Sequence, residues 1–200
     1  MAADGTTRWT VVIPVKGATG KSRLGVDDGG RLALAIALDT VEAALAAVTT
    51  VIVVTAEGER FTGATIVPDP GEGLGAAIEA GVAAADPDSG VAVLLGDLPG
   101  MRPGELVTAL RAAAGHPRSF VADADGTGTV LAAARAGERH ELGFGPGSRA
   151  AHAAAGYVEL VGDWPGLRRD VDLLEHFDGL DVGPRTRREL EMQGFARGAS

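Results

Sequence analysis

The stretch Trp9-Thr-Val-Val-Ile-Pro-Val-Lys16-Gly-Ala-Thr-Gly-Lys21-Ser22-Arg23-Leu24 joins a β-branched apolar run to a loop that holds both lysines of the chain. All other fixed positive charge is carried by arginine. A lysine ammonium is a mobile point charge suited to phosphate oxygens, and a loop between a strand and a helix also offers backbone N–H donors to an anion. The stretch predicts a strand over residues 10–15 and a phosphate-binding loop after it. The alternative is a solvated surface loop.

Apolar runs and helical patterns alternate through the first half of the chain. Strands are predicted over 51–55, 66–67 and 91–95, and helices over 31–48, 75–85 and 103–114. Continuous apolar strands separated by helices indicate a parallel sheet covered on both faces. We therefore expect an α/β fold with one doubly wound, mostly parallel sheet.

The second half has a different rhythm. Segments 119–122 and 129–134 flank a turn-rich stretch, which predicts either a hairpin or a wide loop. A short alanine helix should begin at Ser148 and end near Gly156, followed by a strand over 157–161, an amphipathic helix over 173–180 and a last helix over 184–192. We expect a single domain over 1–200, with flexible ends at 1–7 and 194–200.

Composition narrows the functional classes. The formal charge of −9 argues against a nucleic-acid binder, because such proteins usually carry a basic surface. The absence of cysteine excludes disulfides, thiolate metal sites and a cysteine nucleophile. No apolar run approaches the ~20 residues that cross a bilayer, and no signal pattern opens the chain. The expected location is the cytoplasm, without a membrane partner.

Acidic residues at predicted strand ends suggest a metal site. Asp97 follows the strand over 91–95, and Asp170 and Asp172 lie two apart in an extended segment, so their side chains can face the same side. Three carboxylates converging with bound phosphates would suit Mg²⁺, which prefers oxygen ligands. Asp172 has a structural alternative, since it also stands where a helix N-cap belongs.

Other patterns do not fit the motifs that they suggest. The lysine loop is not a P-loop, because the first glycine of that motif would fall on Val15. The stretch Asp123-Ala-Asp125-Gly126 is not a calcium loop, because the first and last ligands would fall on Val121 and Ala132. The four histidines show no metal spacing and are interpreted as surface or packing residues: His116, His140, His152 and His176.

Six short motifs in order, from Val12 to about Leu190, resemble a known family. They are Ile13-Pro-Val-Lys16 with Lys21-Ser22-Arg23-Leu24, Asp69-Pro70 with Gly73-Leu74-Gly75, Gly96-Asp97-Leu98-Pro99, Asp125-Gly126-x-Gly128-Thr129, Phe144-Gly145-x-Gly147-Ser148 and Asp170-Val-Asp172. The set is similar to the 2-phospho-L-lactate / phosphoenolpyruvate guanylyltransferases of coenzyme F-420 biosynthesis. These belong to the molybdenum-cofactor guanylyltransferase-like superfamily, whose fold is a Rossmann-like domain of the nucleotide-diphospho-sugar transferase type.

The resemblance implies a role for each motif. Lys16, Lys21 and Arg23 would hold the GTP phosphates, and Gly73, Leu74 and Gly75 would lie against the nucleotide. Asp97, Asp170 and Asp172 would coordinate Mg²⁺, with Mn²⁺ as a substitute. Thr129 and the backbone of Gly145 and Ser148 would hold the carboxylate of a small phosphorylated acid.

The implied reaction needs no protein nucleophile, because the acceptor's phosphate is already anionic and can attack the α-phosphorus of GTP directly. The product would pass to the next enzyme of the pathway. Two alternatives stay open: another small-phosphate nucleotidyltransferase, such as a molybdopterin guanylyl- or cytidylyltransferase, and a non-catalytic nucleotide-binding regulator. The sequence does not decide between phosphoenolpyruvate, 2-phospholactate and 3-phosphoglycerate, although the lysine-poor, arginine-rich composition resembles actinobacterial members and favours phosphoenolpyruvate.

Overall fold

A computed structural model describes residues 7–15, 29–56, 60–141 and 143–195. Its strands are β1 (Trp9–Pro14), β2 (Thr50–Thr55), β3 (Thr65–Pro68), β4 (Gly90–Leu94), β5 (Arg118–Ala122), β6 (Thr129–Ala134) and β7 (Val158–Glu159). Its helices are α1 (Gly29–Ala47), α2 (Leu74–Ala83), α3 (Pro103–Ala113), α4 (Ser148–Ala154) and α5 (Pro184–Met192), with a 3-10 turn at Leu174–Phe177. The expected flexible ends, 1–7 and 194–200, lie largely outside the described residues.

The strands form one sheet in the order β3-β2-β1-β4-β6-β5-β7. Neighbouring strands run parallel except at β6, which is antiparallel to both β4 and β5. The predicted mostly parallel α/β sheet is thus confirmed. From β1 the chain moves outward to β2 and β3 and then returns to place β4 on the other side of β1, so the strand order reverses between β1 and β4.

Both faces of the sheet are covered, as the continuous apolar strands require. Val11 and Ile13 of β1 belong to a large apolar cluster that includes residues of α1 and α3. Val12 points to the other face and packs with Ile78 of α2. A Cβ at Gly81 would overlap the side chain of Val12, so a glycine there lets α2 lie close to the sheet.

The structure resolves one open prediction and corrects two others. The turn-rich stretch is a hairpin joining β5 and β6. The predicted strand over 157–161 pairs only at Val158–Glu159, and Val161 is 91% exposed. The predicted helix over 173–180 is wrong: only the 3-10 turn at Leu174–Phe177 forms, because Asp178 is extended and Gly179 adopts a positive φ of 71°. In the part of the chain that the structure describes, no helix is both long and apolar enough to cross a bilayer.

Candidate functional site

The reversal of strand order between β1 and β4 defines a crevice at the carboxyl ends of the two strands. Open α/β sheets bind their ligands at such a point, because the crossovers leave it on opposite sides of the sheet. β1 ends there, and the Val15 N–H donates to the Val54 carbonyl at 2.9 Å. The predicted lysine loop, with its three predicted phosphate ligands Lys16, Lys21 and Arg23, lies outside the described residues.

The loop that carries Asp97 after β4 is held from two sides. A Cβ at Gly96 would lie 3.1 Å from the Pro14 carbonyl oxygen, so glycine allows the loop to pack against the end of β1. On the other side, the Thr40 hydroxyl accepts a hydrogen bond from the Leu98 N–H at 3.1 Å. Thr40 is fully buried on α1 and donates to the Ile36 carbonyl at 2.9 Å. Asp97 therefore occupies a fixed position at the crevice.

Asp170 lies beside Asp97, although 73 positions separate the two in the sequence. The chain crosses at this point, where the Val171 N–H donates to the backbone carbonyl of Asp97 at 3.1 Å. Burial is the main cause that raises the pKa of the Asp170 carboxyl from its ordinary value to about 6. Neighbouring negative charge raises that pKa further, first from Asp97 and then from Asp172 and Asp123. The structure thus gathers carboxylates that repel one another, which a divalent cation would relieve.

Asp172 has a different environment. It is exposed, and its N–H donates to His176 Nδ1 at 3.3 Å. The N-cap residue of the 3-10 turn is Leu173, so the capping alternative for Asp172 does not describe this segment. Within the described ranges, no group of three or more acidic or histidine side chains has metal-binding geometry. The side chains that could best hold a metal ion are the pair Asp97 and Asp170. Their carboxylate oxygens suit Mg²⁺, which keeps several waters and needs few protein ligands.

The glycine-rich turn after β3 exposes its backbone. The Asp69 carboxylate accepts the Gly71 N–H at 2.9 Å and shapes the turn. Gly73 has a φ of 97° and is the N-cap residue of α2. A Cβ at Gly73 or Gly75 would meet nothing within 4 Å, so open space adjoins the backbone. The turn has room for a flat ligand, and contact with the nucleotide stays a prediction.

The hairpin turn between β5 and β6 is organised by one carboxylate. Asp123 accepts the N–H groups of Thr127 at 2.9 Å and Gly128 at 2.7 Å. A Cβ at Gly128 would overlap this carboxylate, which explains the glycine of the motif. Arg168 donates to the carbonyls of Ala122 at 3.1 Å and Asp123 at 2.9 Å. Two residues later the chain reaches Asp170, so the turn and the carboxylate pair are attached to each other.

The residues predicted to bind the acceptor come together where β6 and α4 begin. The Arg149 N–H donates to the Thr127 carbonyl at 3.3 Å and holds the start of α4 against the hairpin turn. The Ser148 N–H, expected to be free for an anion, donates instead to the Gly145 carbonyl at 3.0 Å. Within the described residues, neither the Gly145 N–H nor the Ser148 hydroxyl has a protein acceptor, and the Thr129 hydroxyl lies 3.0 Å from His152 Nδ1, where the tautomer of the ring decides which group donates.

His152, interpreted from the sequence as a surface or packing residue, is a buried residue that contacts one of the predicted acceptor ligands. Its Nδ1 lies 3.0 Å from the Thr129 hydroxyl oxygen, and its Nε2 accepts the Gly143 N–H at 3.3 Å. The ring is fully buried and contacts the rings of Phe144 and Tyr157. Burial lowers the pKa of His152. A signal was present in the sequence, because residue 152 follows Ser148 by four positions and so lies on the same helix face.

A cavity of about 420 Å³ adjoins Asp170 and is also lined by Asp125, Arg168 and His176, among others. Larger cavities of about 550 and 770 Å³ lie elsewhere, one along α2 and one beside α5. The chemistry of the lining residues, and not volume, therefore identifies the candidate site.

Comparison with known proteins gives consistent matches. Residues 17–156 match the model of the MobA-like NTP transferase domain. A phosphoenolpyruvate guanylyltransferase of Thermomonospora curvata is 47% identical over 216 aligned positions, which cover 98% of this chain and 95% of the relative. A protein of the same name from Streptomyces scabiei is 48% identical and covers 90% of this chain and 94% of its own.

Solved structures agree on the fold. A protein from Desulfovibrio desulfuricans described as a nucleotide-diphospho-sugar transferase aligns with a TM-score of 0.64 at 15% identity, covering 94% of this chain and 96% of its own. The Mycobacterium tuberculosis protein Rv0371c in complex with manganese aligns with a TM-score of 0.59 at 21% identity, covering 88% and 98%. These likenesses show the nucleotide-diphospho-sugar transferase fold.

Proposed function

We propose that the chain moves GMP from GTP onto the phosphate of phosphoenolpyruvate. It belongs to the MobA-like NTP transferase family and, within that family, to the phosphoenolpyruvate guanylyltransferases. Pyrophosphate is the second product. The reaction is placed in coenzyme F-420 biosynthesis, with 2-phospho-L-lactate as the alternative acceptor. GTP and a small phosphorylated acid are thus the proposed partners.

The observation that carries the proposal is the meeting of Asp97 and Asp170 beside the Thr129 turn, at the point where strand order reverses. A transferase that joins two phosphorylated molecules has to hold both at one edge and to offset their negative charge. The carboxylate pair, the lysine loop and the acceptor turn all follow or precede strands at that edge.

The chemistry follows from charge and position. An oxygen of the acceptor phosphate attacks the α-phosphorus of GTP, a new P–O bond forms, and the bond to the β-phosphate oxygen breaks as pyrophosphate leaves in line. Lys16, Lys21 and Arg23 hold and neutralise the triphosphate, and the backbone of 73–75 lies against the nucleotide. Because the nucleophile is already anionic, the residues act by positioning and charge stabilisation and not as a general base.

A divalent metal completes the proposed site. Asp97 and Asp170, with Asp172, would hold Mg²⁺, or Mn²⁺ in its place. When bound, the ion supplies charge neutralisation for the phosphates. The acceptor's carboxylate is held by the hydroxyls of Thr129 and Ser148 and by the Gly145 N–H.

The test is mass spectrometry of the products formed from GTP, Mg²⁺ and one acid at a time: phosphoenolpyruvate, 2-phospholactate or 3-phosphoglycerate. The expected result is a guanylylated phosphoenolpyruvate with stoichiometric pyrophosphate. Parallel reactions with CTP and with molybdopterin separate the related nucleotidyltransferases. Tight GTP binding without turnover on any acceptor would contradict the proposal and favour a regulator.

A further inference from the structure

We infer that His152 is a positioning residue that orients the Thr129 hydroxyl so that its proton is available to the acceptor's carboxylate. The inference rests on the proposed function, since it concerns the site where the phosphorylated acid would bind. His152 is fully buried, and its ring hydrogen-bonds with the Thr129 hydroxyl and with the Gly143 N–H at the start of the loop that leads into α4.

The hydrogen bonds of the ring fix its tautomer. The Gly143 N–H is a donor and points at Nε2, so Nε2 must present a lone pair and carry no proton. A neutral imidazole then carries its proton on Nδ1. Full burial favours this neutral form, because charging the ring would cost desolvation energy and would break the bond from Gly143.

The tautomer in turn fixes the direction of the neighbouring bond. With a proton on Nδ1, the imidazole donates and the Thr129 oxygen accepts at 3.0 Å. The hydroxyl proton of Thr129 is then left for another partner, and the described residues offer it no acceptor. Carboxylate oxygens only accept, so a hydroxyl in this orientation is a matched donor for an acid. In the opposite tautomer, Thr129 would donate to the ring and could not donate to a ligand.

The second bond of the ring positions the other acceptor contact. Gly143 lies two residues before Gly145, whose N–H is one of the remaining donors. A separate anchor holds the preceding residues, because the Glu141 N–H donates to the Tyr157 hydroxyl at 2.9 Å. His152 therefore connects Thr129 at the start of β6 with the loop that leads into α4. Through one ring it sets the relative position of two groups expected to contact the acid.

Two isosteric variants separate the two bonds. In His152→Asn the amide nitrogen takes the place of Nδ1 and keeps a donor toward Thr129. In His152→Gln the carbonyl oxygen takes the place of Nε2 and keeps an acceptor for Gly143 but leaves Thr129 without its donor. We expect His152→Gln to raise the acceptor KM about tenfold to a hundredfold, the range of one hydrogen bond to a charged group, with His152→Asn less affected. The GTP KM and the kcat at saturating acceptor should change little.

A double-mutant cycle with Thr129→Val is the decisive measurement. Because His152 acts through the Thr129 hydroxyl, His152→Gln should add almost nothing to the acceptor KM once that hydroxyl is gone. His116→Asn, at a position with no side-chain contact to the site, is the matched control. Additive effects in the cycle, or equal losses for GTP and acceptor, would assign His152 a purely structural role and overturn the inference.

A spectroscopic measurement tests the tautomer directly. Nitrogen-15 NMR of the imidazole side chains, with His152 assigned by its loss in His152→Asn, should show a protonated Nδ1 and an unprotonated Nε2. A protonated Nε2 overturns the inference even if the enzyme is active. Wild-type protein that neither transfers GMP nor binds any of the three acids overturns both the inference and the proposed function, whereas an active wild type with an additive cycle overturns the inference alone.

Discussion

Burial and neighbouring negative charge both disfavour ionisation of the Asp170 carboxyl. The pKa of this carboxyl is raised to about 6, first by burial and then by the Asp97 carboxylate. An unfolded chain ionises the same carboxyl near 3.8. Between these two pH values the folded state holds a proton that the unfolded state has released. The free energy of unfolding therefore falls as pH rises from about 4 to about 6.

Asp170→Asn should remove that dependence. Urea unfolding without divalent metal should show the variant gaining stability relative to wild type as pH rises from 4 to 7, because it no longer buries a charge. Asp163→Asn, an exposed aspartate, is the control and should follow wild type. A difference between Asp170→Asn and wild type that stays constant over this pH range would mean that the carboxyl does not titrate as inferred.

The metal assignment at the residue level is tested most sharply at Asp172. Asp97→Asn and Asp170→Asn should abolish Mg²⁺-dependent turnover. Asp172 is exposed and caps no helix, so Asp172→Asn should leave the fold intact and should raise the Mg²⁺ concentration needed for half-maximal rate. An Asp172→Asn enzyme with wild-type rate at limiting Mg²⁺ would remove this residue from the proposed ligand set.

Lys21 is expected to be essential for rate and not for folding. Lys21→Ala removes a charge that partners phosphate, and loss of one such stabilising contact typically lowers turnover by about 10²–10³. Lys21→Arg should restore only part of the rate, because a planar guanidinium is a poor copy of a point charge. Turnover assays with saturating acceptor, together with thermal melts, give the answer. Near-normal turnover in the alanine variant would show that the lysine loop is a surface loop without a role in phosphate binding.

The motif residues have local signatures in the sequence, and the family resemblance implied that Asp97 and Asp170 meet, whereas the contacts that bring them together could not be predicted. Asp97 was predicted from its place after an apolar strand. The contact that brings Asp170 beside it depends on a crossing of distant segments, which no local pattern encodes. His152 was interpreted as a surface or packing residue, because burial against Thr129 is visible only once β6 and α4 are placed together.

At the level of elements, α5 depends on a cap supplied from α1. Asp39 is 6% exposed, and its carboxylate accepts the N–H of Thr186 at 2.8 Å and of Arg185 at 3.2 Å. The helix has no cap of its own, since Gly183 is its N-cap residue. A Cβ at Gly183 would overlap Asp39, so the close approach of the two helices requires the glycine. The helix was predicted from its pattern, whereas a cap from 147 positions away was not predictable.

Asp39→Ala should therefore destabilise the fold by about 2–3 kcal/mol, since it leaves two N–H groups at a buried helix end without their charged acceptor. Asp39→Asn keeps one acceptor oxygen and should cost less than half as much. The measurement is the free energy of urea unfolding, with the exposed Asp163→Ala as control. Equal losses for the alanine and asparagine variants would show that packing, and not capping, sets the cost.

Across the whole molecule, the antiparallel strand decides which residues reach the site. Continuous apolar strands predicted the three parallel pairings among β1, β2, β3 and β4, and a hairpin was one of the two alternatives for β5 and β6. The pairing of β6 with β4 could not be predicted, because it joins strands across α3 and β5. β6 is antiparallel to β4. The first residue of β6, Thr129, therefore lies at the same edge of the sheet as the last residues of the parallel strands. The acceptor turn therefore belongs to the same crevice as Asp97.

Global stability should also depend on His140, which connects the middle of the sheet with the segment before the acceptor loop. Its Nε2 donates to the Val91 carbonyl of β4 at 3.0 Å, so its Nδ1 accepts from the Tyr157 hydroxyl at 3.1 Å. Burial is the main cause that lowers the pKa of His140 to about 4; the hydrogen bond to the Val91 carbonyl opposes it, and the nearby Arg118 guanidinium lowers the pKa further. Protonation would place a proton on Nδ1 and break the bond from Tyr157.

The sign of the resulting pH dependence is opposite to that of Asp170. An unfolded histidine takes up its proton near pH 6.5, whereas the folded one resists until about pH 4, so stability is lost as pH falls between these values. The full loss is on the order of 3 kcal/mol, from 1.36 kcal/mol per pKa unit. His140→Gln does not titrate, so its deficit relative to wild type in urea unfolding should shrink as pH falls from 7 to 4.5. His116→Gln serves as the control, because its side chain makes none of these contacts. A deficit of His140→Gln that is the same at both pH values would contradict the assignment of acid sensitivity to this residue.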